Sequence, residues 1–242
     1  MLTKKEIKDI QSLSRKKFRD ELKLFLAEGP KIVKELALLI PGKIDHIYAT
    51  EEWINEYKDL QNTIQVTAIK DFELEKISQL QTPNQALALI RQLDSEVPDA
   101  VSFTLYLDGI QDPGNFGTII RLADWFGIKD VVCGPGCADP YNPKVVQSTM
   151  ASIARVNIYE DKMDEWLKKQ EVPVYAATLH GRSLYEHSRV SKGILVIGNE
   201  SKGIRQEIIS LAKNEITIPK KGGAECLNAA IATGIILSHI MA

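Results

Sequence analysis

The chain has 242 residues, of which 44% are hydrophobic and 26% are charged, and its formal net charge is -2. This composition is ordinary for a globular protein, and the length allows one large domain or two modest ones. The slightly acidic balance excludes a protein that binds nucleic acid through its overall charge alone.

The N-terminal segment is nevertheless locally basic. Residues 4–23 carry eight basic side chains against four acidic ones. Such a segment fits either a solvated helix face or an arm that contacts phosphate groups, and the sequence leaves both interpretations open.

Alternating helix and strand patterns predict a small α/β/α sandwich in the first hundred residues. The predicted elements are a helix through Phe18, Leu22, Phe25 and Leu26, a helix at 32–40, a strand at 44–49, a helix at 51–57, a strand at 64–68 and a mainly helical stretch at 83–99 that ends in polar residues. The polar end is the candidate linker. We therefore predict an N-terminal domain at 1–95 and a second domain at 100–242.

The remaining residues alternate strand and helix more regularly, which indicates a largely parallel sheet covered on both faces. The predicted strands are at 103–107, 130–133, 174–178, 193–197 and 215–218, and the predicted helices are at 116–126, 144–153, 163–170, 204–212 and 228–241. The last helix is apolar around most of its circumference, so we expect it to be buried in a core or against another subunit.

Three of the predicted strands run into loops rich in glycine and polar residues. These loops lie at residues 107–117, 196–203 and 218–228. Because open α/β sheets bind ligands at the ends of their strands, three such loops predict one built site.

The polar residues of these loops have more than one interpretation. Asn115 can cap the helix that follows it, and Arg121 on that helix is either a phosphate contact or a surface ion-pair partner. Glu200 can accept hydrogen bonds from a hydroxyl group or from Arg121. Lys220 and Lys221 fit a phosphate contact as well as a solvated loop tip.

Several kinds of protein are disfavoured. Cys133, Cys137 and Cys226 lack the paired spacing of a disulfide framework or a zinc site, so we expect no metal. Neither a dinucleotide-binding fingerprint nor a P-loop is found in the sequence. The longest apolar run, 229–237, is too short to span a bilayer, and no signal peptide is recognisable, so we expect a cytoplasmic protein without a membrane partner.

Taken together, the three loops resemble the motifs of the SpoU (TrmH-like) RNA ribose methyltransferases of the SPOUT superfamily, from Leu105 to the C-terminus. The N-terminal unit, through its residues 19–30, also resembles that family's substrate-binding domain, which is akin to RNA-binding ribosomal proteins, and the resemblance implies that residues 1–95 bind RNA. The resemblance implies an α/β fold with a parallel-sheet methyltransferase domain and a deep C-terminal trefoil knot, in a homodimer. It also implies S-adenosyl-L-methionine as the cofactor and structured RNA, ribosomal or transfer, as the partner.

The resemblance also implies roles for particular residues. The positions associated with catalysis are Asn115, Arg121, Glu200 and Asn228, and those associated with cofactor binding are Thr178, Leu179, Gly198, Ile218, Cys226 and Leu227. Cys226 stands where the family usually has serine, and a thiol is a poorer hydrogen-bonding group than a hydroxyl. Because a guanidinium is almost always protonated, we expect Arg121 to clamp phosphate and stabilise an emerging alkoxide rather than act as a base.

The leading prediction is an RNA 2'-O-ribose methyltransferase. Three alternatives stay open at this stage: a base-nitrogen methyltransferase of the same superfamily, a catalytically silent RNA-binding or ribosome-assembly protein, and a metabolic enzyme that binds another nucleotide through the same loops.

Overall fold

The structure, a computed structural model, describes residues 1–241. They form two compact units, one made of Met1–Asp94 with Asp139–Ala154 and the other made of Ser95–Ala138 with the chain from Arg155 onwards. Within the described residues, no helix has the length and apolar character needed to cross a membrane.

Helices and strands alternate along most of the described residues. The first ones are α1 (Lys4–Ser12), α2 (Lys16–Leu22), β1 (Leu24–Glu28), α3 (Pro30–Leu39), β2 (Ile44–Ala49), α4 (Glu51–Glu56), β3 (Val66–Ala68), α5 (Asp71–Ile77) and β4 (Ala86–Arg91). They are followed by β5 (Phe103–Asp108), α6 (Pro113–Trp125), β6 (Asp130–Cys133), α7 (Pro143–Thr149), β7 (Asn157–Glu160), α8 (Glu165–Lys168), β8 (Val174–Ser183), β9 (Gly193–Gly198), α9 (Gln206–Ile209), β10 (Asn214–Thr217) and α10 (Ala229–Ile240).

The first unit is built on a mixed sheet. Within residues 1–94 the strand order is β1-β4-β2-β3, and β4 pairs antiparallel with both β1 and β2. Leu87 and Ile90 of β4 are fully buried, as expected for the centre of a sheet that packs against helices.

Two of the sequence-based predictions for this unit were wrong. Lys23 adopts a left-handed conformation (φ 56°) that ends α2, so Phe25 and Leu26 belong to β1 and not to a helix. The stretch at 83–99 contains β4 instead of a helix. Its alanines and leucines are good helix formers, but hydrogen bonds to strands on both sides override that weak preference.

The segment at 139–154 packs with the first unit. The ring of Tyr141 lies 4.8 Å from the ring of Phe25, and the Arg19 Nε donates to Asp139 Oδ2 at 3.0 Å. Arg19 is only 2% exposed. Of the basic residues in the N-terminal segment, this arginine therefore serves the interior of the unit and not a surface that could contact phosphate.

The second unit carries the predicted parallel sheet. Among the described residues its strand order is β10-β8-β9-β5-β6-β7, and every neighbouring pair is parallel. The prediction of a largely parallel sheet is thus confirmed, although β7 was not predicted. The chain moves outward on one side from β5 and returns on the other side through β9, so the carboxyl ends of β5 and β9 flank the point where the strand order reverses.

Helix α10 joins this sheet to α6. It contacts both α6 and β9, and Gly234 lies beside the side chain of Leu122 on α6, where an added Cβ would make an ordinary contact of 3.5 Å. Burial of Ile236, Leu237 and Ile240 confirms that one face of this helix packs into the core.

Candidate active site

A cavity of about 910 Å³ opens at the carboxyl ends of β8, β9 and β10. Its walls come from residues 177–180, 197–204, 216–222 and 224–227, together with the buried side of α10. All six residues matched to cofactor binding line it: Thr178, Leu179, Gly198, Ile218, Cys226 and Leu227. The structure therefore brings together positions that lie up to 49 residues apart in the chain.

One wall of the cavity is formed where the pairing between β8 and β10 is irregular. β10 pairs with β8 at Ala176 and next at Arg182, so the residues between them leave the ladder. Gly181 allows β8 to pair with β10 again at Arg182, since a Cβ added at Gly181 would lie 2.4 Å from the backbone of Glu215. The protruding residues, which include Thr178 and Leu179, form the wall.

The loop after β9 folds back on itself beside the cavity. Asn199 and Gly203 exchange backbone hydrogen bonds of 3.0 and 2.9 Å, and the Asn199 side chain accepts from the backbone N–H groups of the next turn. A Cβ added at Gly198 would lie 2.4 Å from the backbone of Gly203 and Ile204. This position therefore requires glycine for a packing reason, which keeps a bare stretch of backbone at the cavity wall.

Glu200 ties this loop to the loop after β5. Its Oε1 accepts from the backbone N–H of Asp112 at 3.2 Å and from Asn115 Nδ2 at 3.0 Å, and its Oε2 accepts from the backbone N–H of Gln111 at 3.2 Å. One carboxylate thus satisfies donors at the start of α6. The structure shows Glu200 bonded to these groups and not to Arg121.

Asn228 extends the same network to the third loop. Its Nδ2 donates to Asn115 Oδ1 at 2.7 Å, while its Oδ1 caps α10 by accepting from the N–H groups of Ala230 and Ile231 at 3.0 and 3.2 Å. Asn115, which the sequence suggested as a helix cap, lies instead in the first turn of α6, and Asp112 is the cap. The side chains of Asn115, Glu200 and Asn228 therefore connect three separate loops.

Arg121 lies apart from this network. It is exposed on α6 and does not line the cavity. Within the described part of the chain its guanidinium makes no hydrogen bond or ion pair, so the surface ion pair considered from the sequence is not formed. Lys220 and Lys221 line the cavity, as does Lys202, which the sequence analysis did not single out.

A second polar network beside the cavity was not found from the sequence. Arg205, just after the β9 loop, donates from Nε to Asp108 Oδ1 at 2.6 Å and from Nη2 to Asp164 Oδ1 at 2.7 Å. Tyr106 also donates its hydroxyl to Asp164, at 2.5 Å. Burial disfavours the charged form of Asp164, but the hydrogen bonds from Arg205 and Tyr106 outweigh it and hold its pKa below the ordinary value. The sequence contains no local signal that could pair Asp164 with residues so far along the chain.

The cysteines and acidic groups show no metal centre in residues 1–241. Cys133, Cys137 and Cys226 are free thiols, and no cluster of three or more candidate ligands occurs there. Cys226 is exposed at the cavity wall.

The sequence matches a different protein family in each half. Residues 4–88 match the MRM3-like substrate binding domain, and residues 102–238 match the SpoU rRNA Methylase family. The 23S rRNA (guanosine(2553)-2'-O)-methyltransferase RlmP of Bacillus subtilis is 31% identical over 239 residues, which cover 97% of this chain and 95% of that relative.

The chain is also similar in structure to solved RNA methyltransferases. A TrmH-family protein from Porphyromonas gingivalis is 37% identical and has a TM-score of 0.86, with coverage of 98% of this chain and 97% of that one. An AdoMet-bound rRNA methyltransferase from Sinorhizobium meliloti is 29% identical and has a TM-score of 0.87, with coverage of 98% and 94%.

Proposed function

This chain belongs to the SpoU rRNA methylase family, and we propose that it transfers a methyl group from S-adenosyl-L-methionine to a ribose 2'-hydroxyl of ribosomal RNA. One observation carries the proposal for this chain's own residues. All six positions matched to cofactor binding line a single cavity, and Glu200 joins that cavity to Asn115 and, through it, to Asn228.

The cavity fits the proposed methyl donor in size and chemistry. Its volume of about 910 Å³ lies within the range of roughly 300–1,000 Å³ that is typical of small-molecule sites. Leu179, Ile218 and Leu227 supply apolar surface for an adenosyl group, while the side-chain-free backbone at Gly198 allows close approach. S-adenosyl-L-methionine supplies an electrophilic methyl group when it is bound.

The polar residues fall into two roles, contact with the RNA and positioning of the loops. We assign Arg121 to holding an RNA phosphate and to stabilising negative charge on the ribose oxygen, because its guanidinium stays protonated and is exposed without a partner in residues 1–241. We assign Asn115, Glu200 and Asn228 to fixing the loops around the reacting groups, since their side chains already link those loops.

Finer features of the family belong to the same proposal. We propose that residues 1–95 bind the RNA, which the match to a substrate binding domain supports. A C-terminal trefoil knot is supported by the arrangement of the last segment, which forms a cavity wall beside the β9 loop before α10 packs on α6 and β9. We expect the protein to act in the cytoplasm.

A homodimer is supported by exposed apolar side chains on the two helices nearest the site. Trp125 on α6 is 82% exposed, Ile231 on α10 is 56% exposed, and Leu227 just before α10 is 46% exposed. Burial of these side chains against a second copy of the chain would remove their apolar surface from water.

Nucleoside analysis tests the proposed reaction directly. Ribosomal RNA from cells that lack the protein would be incubated with purified protein and methyl-labelled S-adenosyl-L-methionine, and then digested to nucleosides. We expect label in one 2'-O-methylated nucleoside, and labelling that is slower by about 10²- to 10³-fold with Arg121→Ala. Label in a methylated base, or RNA binding without any transfer, would contradict the proposal in favour of the corresponding alternative.

A further inference from the structure

The ends of the β9 loop are held by different residues. At its start, Asn199 Nδ2 donates to the carbonyl of Gly109 at 2.7 Å. At its end, Arg205 donates its backbone N–H to Asp108 Oδ2 at 2.7 Å and its Nε to Asp108 Oδ1 at 2.6 Å. The whole loop is therefore fastened to consecutive residues at the carboxyl end of β5.

Arg205 also reaches in a second direction. Its Nη1 and Nη2 donate to Asp164 Oδ2 and Oδ1 at 3.0 and 2.7 Å, which is the paired geometry that a guanidinium forms with a carboxylate. The Asp108 side chain is 1% exposed and the Asp164 side chain is 11% exposed, whereas that of Arg205 is 40% exposed. One arginine therefore neutralises two largely buried carboxylates from the solvent side.

Asp164 is itself rigidly placed. It occupies a left-handed conformation (φ 56°) at the start of α8 and accepts the hydroxyl of Tyr106, a fully buried residue of β5. Asp164 and Asp108 accept hydrogen bonds from Arg205, and these bonds raise the pKa of its guanidinium although burial opposes this, so Arg205 is held in its charged form beside both carboxylates.

The contacts of Arg205 with Asp108 and Asp164 hold the part of the β9 loop that forms the cavity wall. Gly203 and Ile204, immediately before Arg205, both line the cavity, and they are the residues whose backbone lies against Gly198. A change in the position of Arg205 would move this limb of the loop, whereas Glu200 is held separately by its own bonds to Gln111, Asp112 and Asn115.

We propose that Arg205 is a positioning residue that shapes the methyl-donor cavity by fastening the returning limb of the β9 loop to Asp108 and Asp164. The inference rests on the proposed function, because it assigns the donor to this cavity. Arg205 is not among the residues that line the cavity, and within residues 1–241 its hydrogen bonds go to Asp108 and Asp164 and not to the Glu200 network.

Substitutions at Arg205 distinguish an effect on the shape of the donor cavity from an effect on the stability of the fold. Arg205→Met removes the charge and both sets of hydrogen bonds, and Arg205→Lys keeps the charge but cannot form the paired contact with Asp164. Arg182→Met is the matched control, since Arg182 forms an exposed ion pair with Glu186 at 2.9 Å. Should Arg205→Met alone fail to fold, the double variant Asp108→Asn, Arg205→Met removes the more deeply buried of the two carboxylates that lose their partner and keeps an acceptor for the backbone N–H.

Calorimetry with S-adenosyl-L-methionine, steady-state kinetics and hydrogen exchange provide the readouts. For Arg205→Met and the double variant we expect a donor dissociation constant raised about tenfold or more, with kcat at saturating donor lowered less than about threefold. Arg205→Lys should lie between these variants and the wild type, and Arg182→Met should match the wild type. Amides of residues 199–204 should exchange faster in the Arg205 variants.

Two results would overturn different claims. A folded Arg205 variant whose donor affinity stays within about twofold of the wild type, with unchanged exchange in the loop, would overturn the positioning role. Wild-type protein that does not bind the donor at all would instead overturn the proposed function.

Discussion

Glu200 offers a sharp test of how the loops control catalysis. In Glu200→Gln the amide oxygen can still accept from Asp112 and Asn115, but the amide nitrogen then faces the N–H of Gln111, which loses its partner. The lost hydrogen bond is worth about 1 kcal/mol. Replacing a charged acceptor by a neutral one weakens the other two bonds by about 0.5 kcal/mol each at this half-buried site, giving about 2 kcal/mol in total.

That energy predicts a large kinetic effect with a small effect on donor binding. If the transition state requires the ordered network, about 2 kcal/mol lowers kcat by roughly 30-fold. The donor dissociation constant should change less than about threefold, because the substituted side chain has the same size and the loop keeps its other anchors at Asn199 and Arg205.

Single-turnover methylation of ribosomal RNA, with donor affinity measured by calorimetry, tests both parts. Glu207→Gln is the matched control, since Glu207 is exposed on α9 and makes no side-chain hydrogen bond among residues 1–241. The reasoning is refuted if Glu200→Gln keeps more than about a third of the wild-type rate, or if the control loses as much.

Three further substitutions probe other parts of the structure. Arg121→Ala should lower kcat by about 10²- to 10³-fold while calorimetry shows unchanged donor affinity, and lost donor binding would contradict our assignment. Gly198→Ala places a Cβ 2.4 Å from backbone atoms, so we expect lost donor binding and a lower melting temperature, whereas Gly223→Ala, where a Cβ meets nothing within 4 Å, should change neither. Burial raises the pKa of Glu28 above its ordinary 4.5, although two hydrogen bonds oppose this. Because the carboxyl pKa is higher in the folded state, Glu28 stabilises the folded wild type below pH 4.5, and this stabilisation is lost as the pH rises through the folded-state pKa. The substituted glutamine does not titrate, so the free energy of unfolding of Glu28→Gln relative to that of the wild type should increase over this pH range. Urea unfolding at several pH values measures this difference, and a decrease would disprove it.

The sequence predicted the second unit better than the first, because the signals for its loops lie next to the strands in the sequence. After β5, β9 and β10 the glycines and polar residues stand beside the strand that they follow, so the loops around Asn115, Gly198 and Asn228 could be recognised one at a time. In the first unit, by contrast, the alanines and leucines of β4 suit a helix equally well, and only pairing with β1 and β2 decides the outcome.

Long-range contacts explain what the sequence did not predict at the site. The local pattern assigned Asn115 only to capping its own helix, and a role in the site came from the family resemblance; its side chain bonds to Glu200 and Asn228, which lie 85 and 113 residues away. Asp164 is similarly recognisable only through Arg205, 41 residues later. Spacing along the chain contains no information about such partners, because they are set by the order of the strands.

The thiol at Cys226 stands where serine is usual in the family that the chain belongs to. Cys226 is exposed and makes no hydrogen bond within the described residues, while the end of its loop is fixed two positions later, where Asn228 caps α10 and bonds to Asn115. The shape of the loop therefore does not depend on the side chain at 226. Since the same side chain lines the cavity, the difference between a thiol and the usual hydroxyl is confined to what the cavity binds, and the fold provides no reason for the substitution to remove the activity.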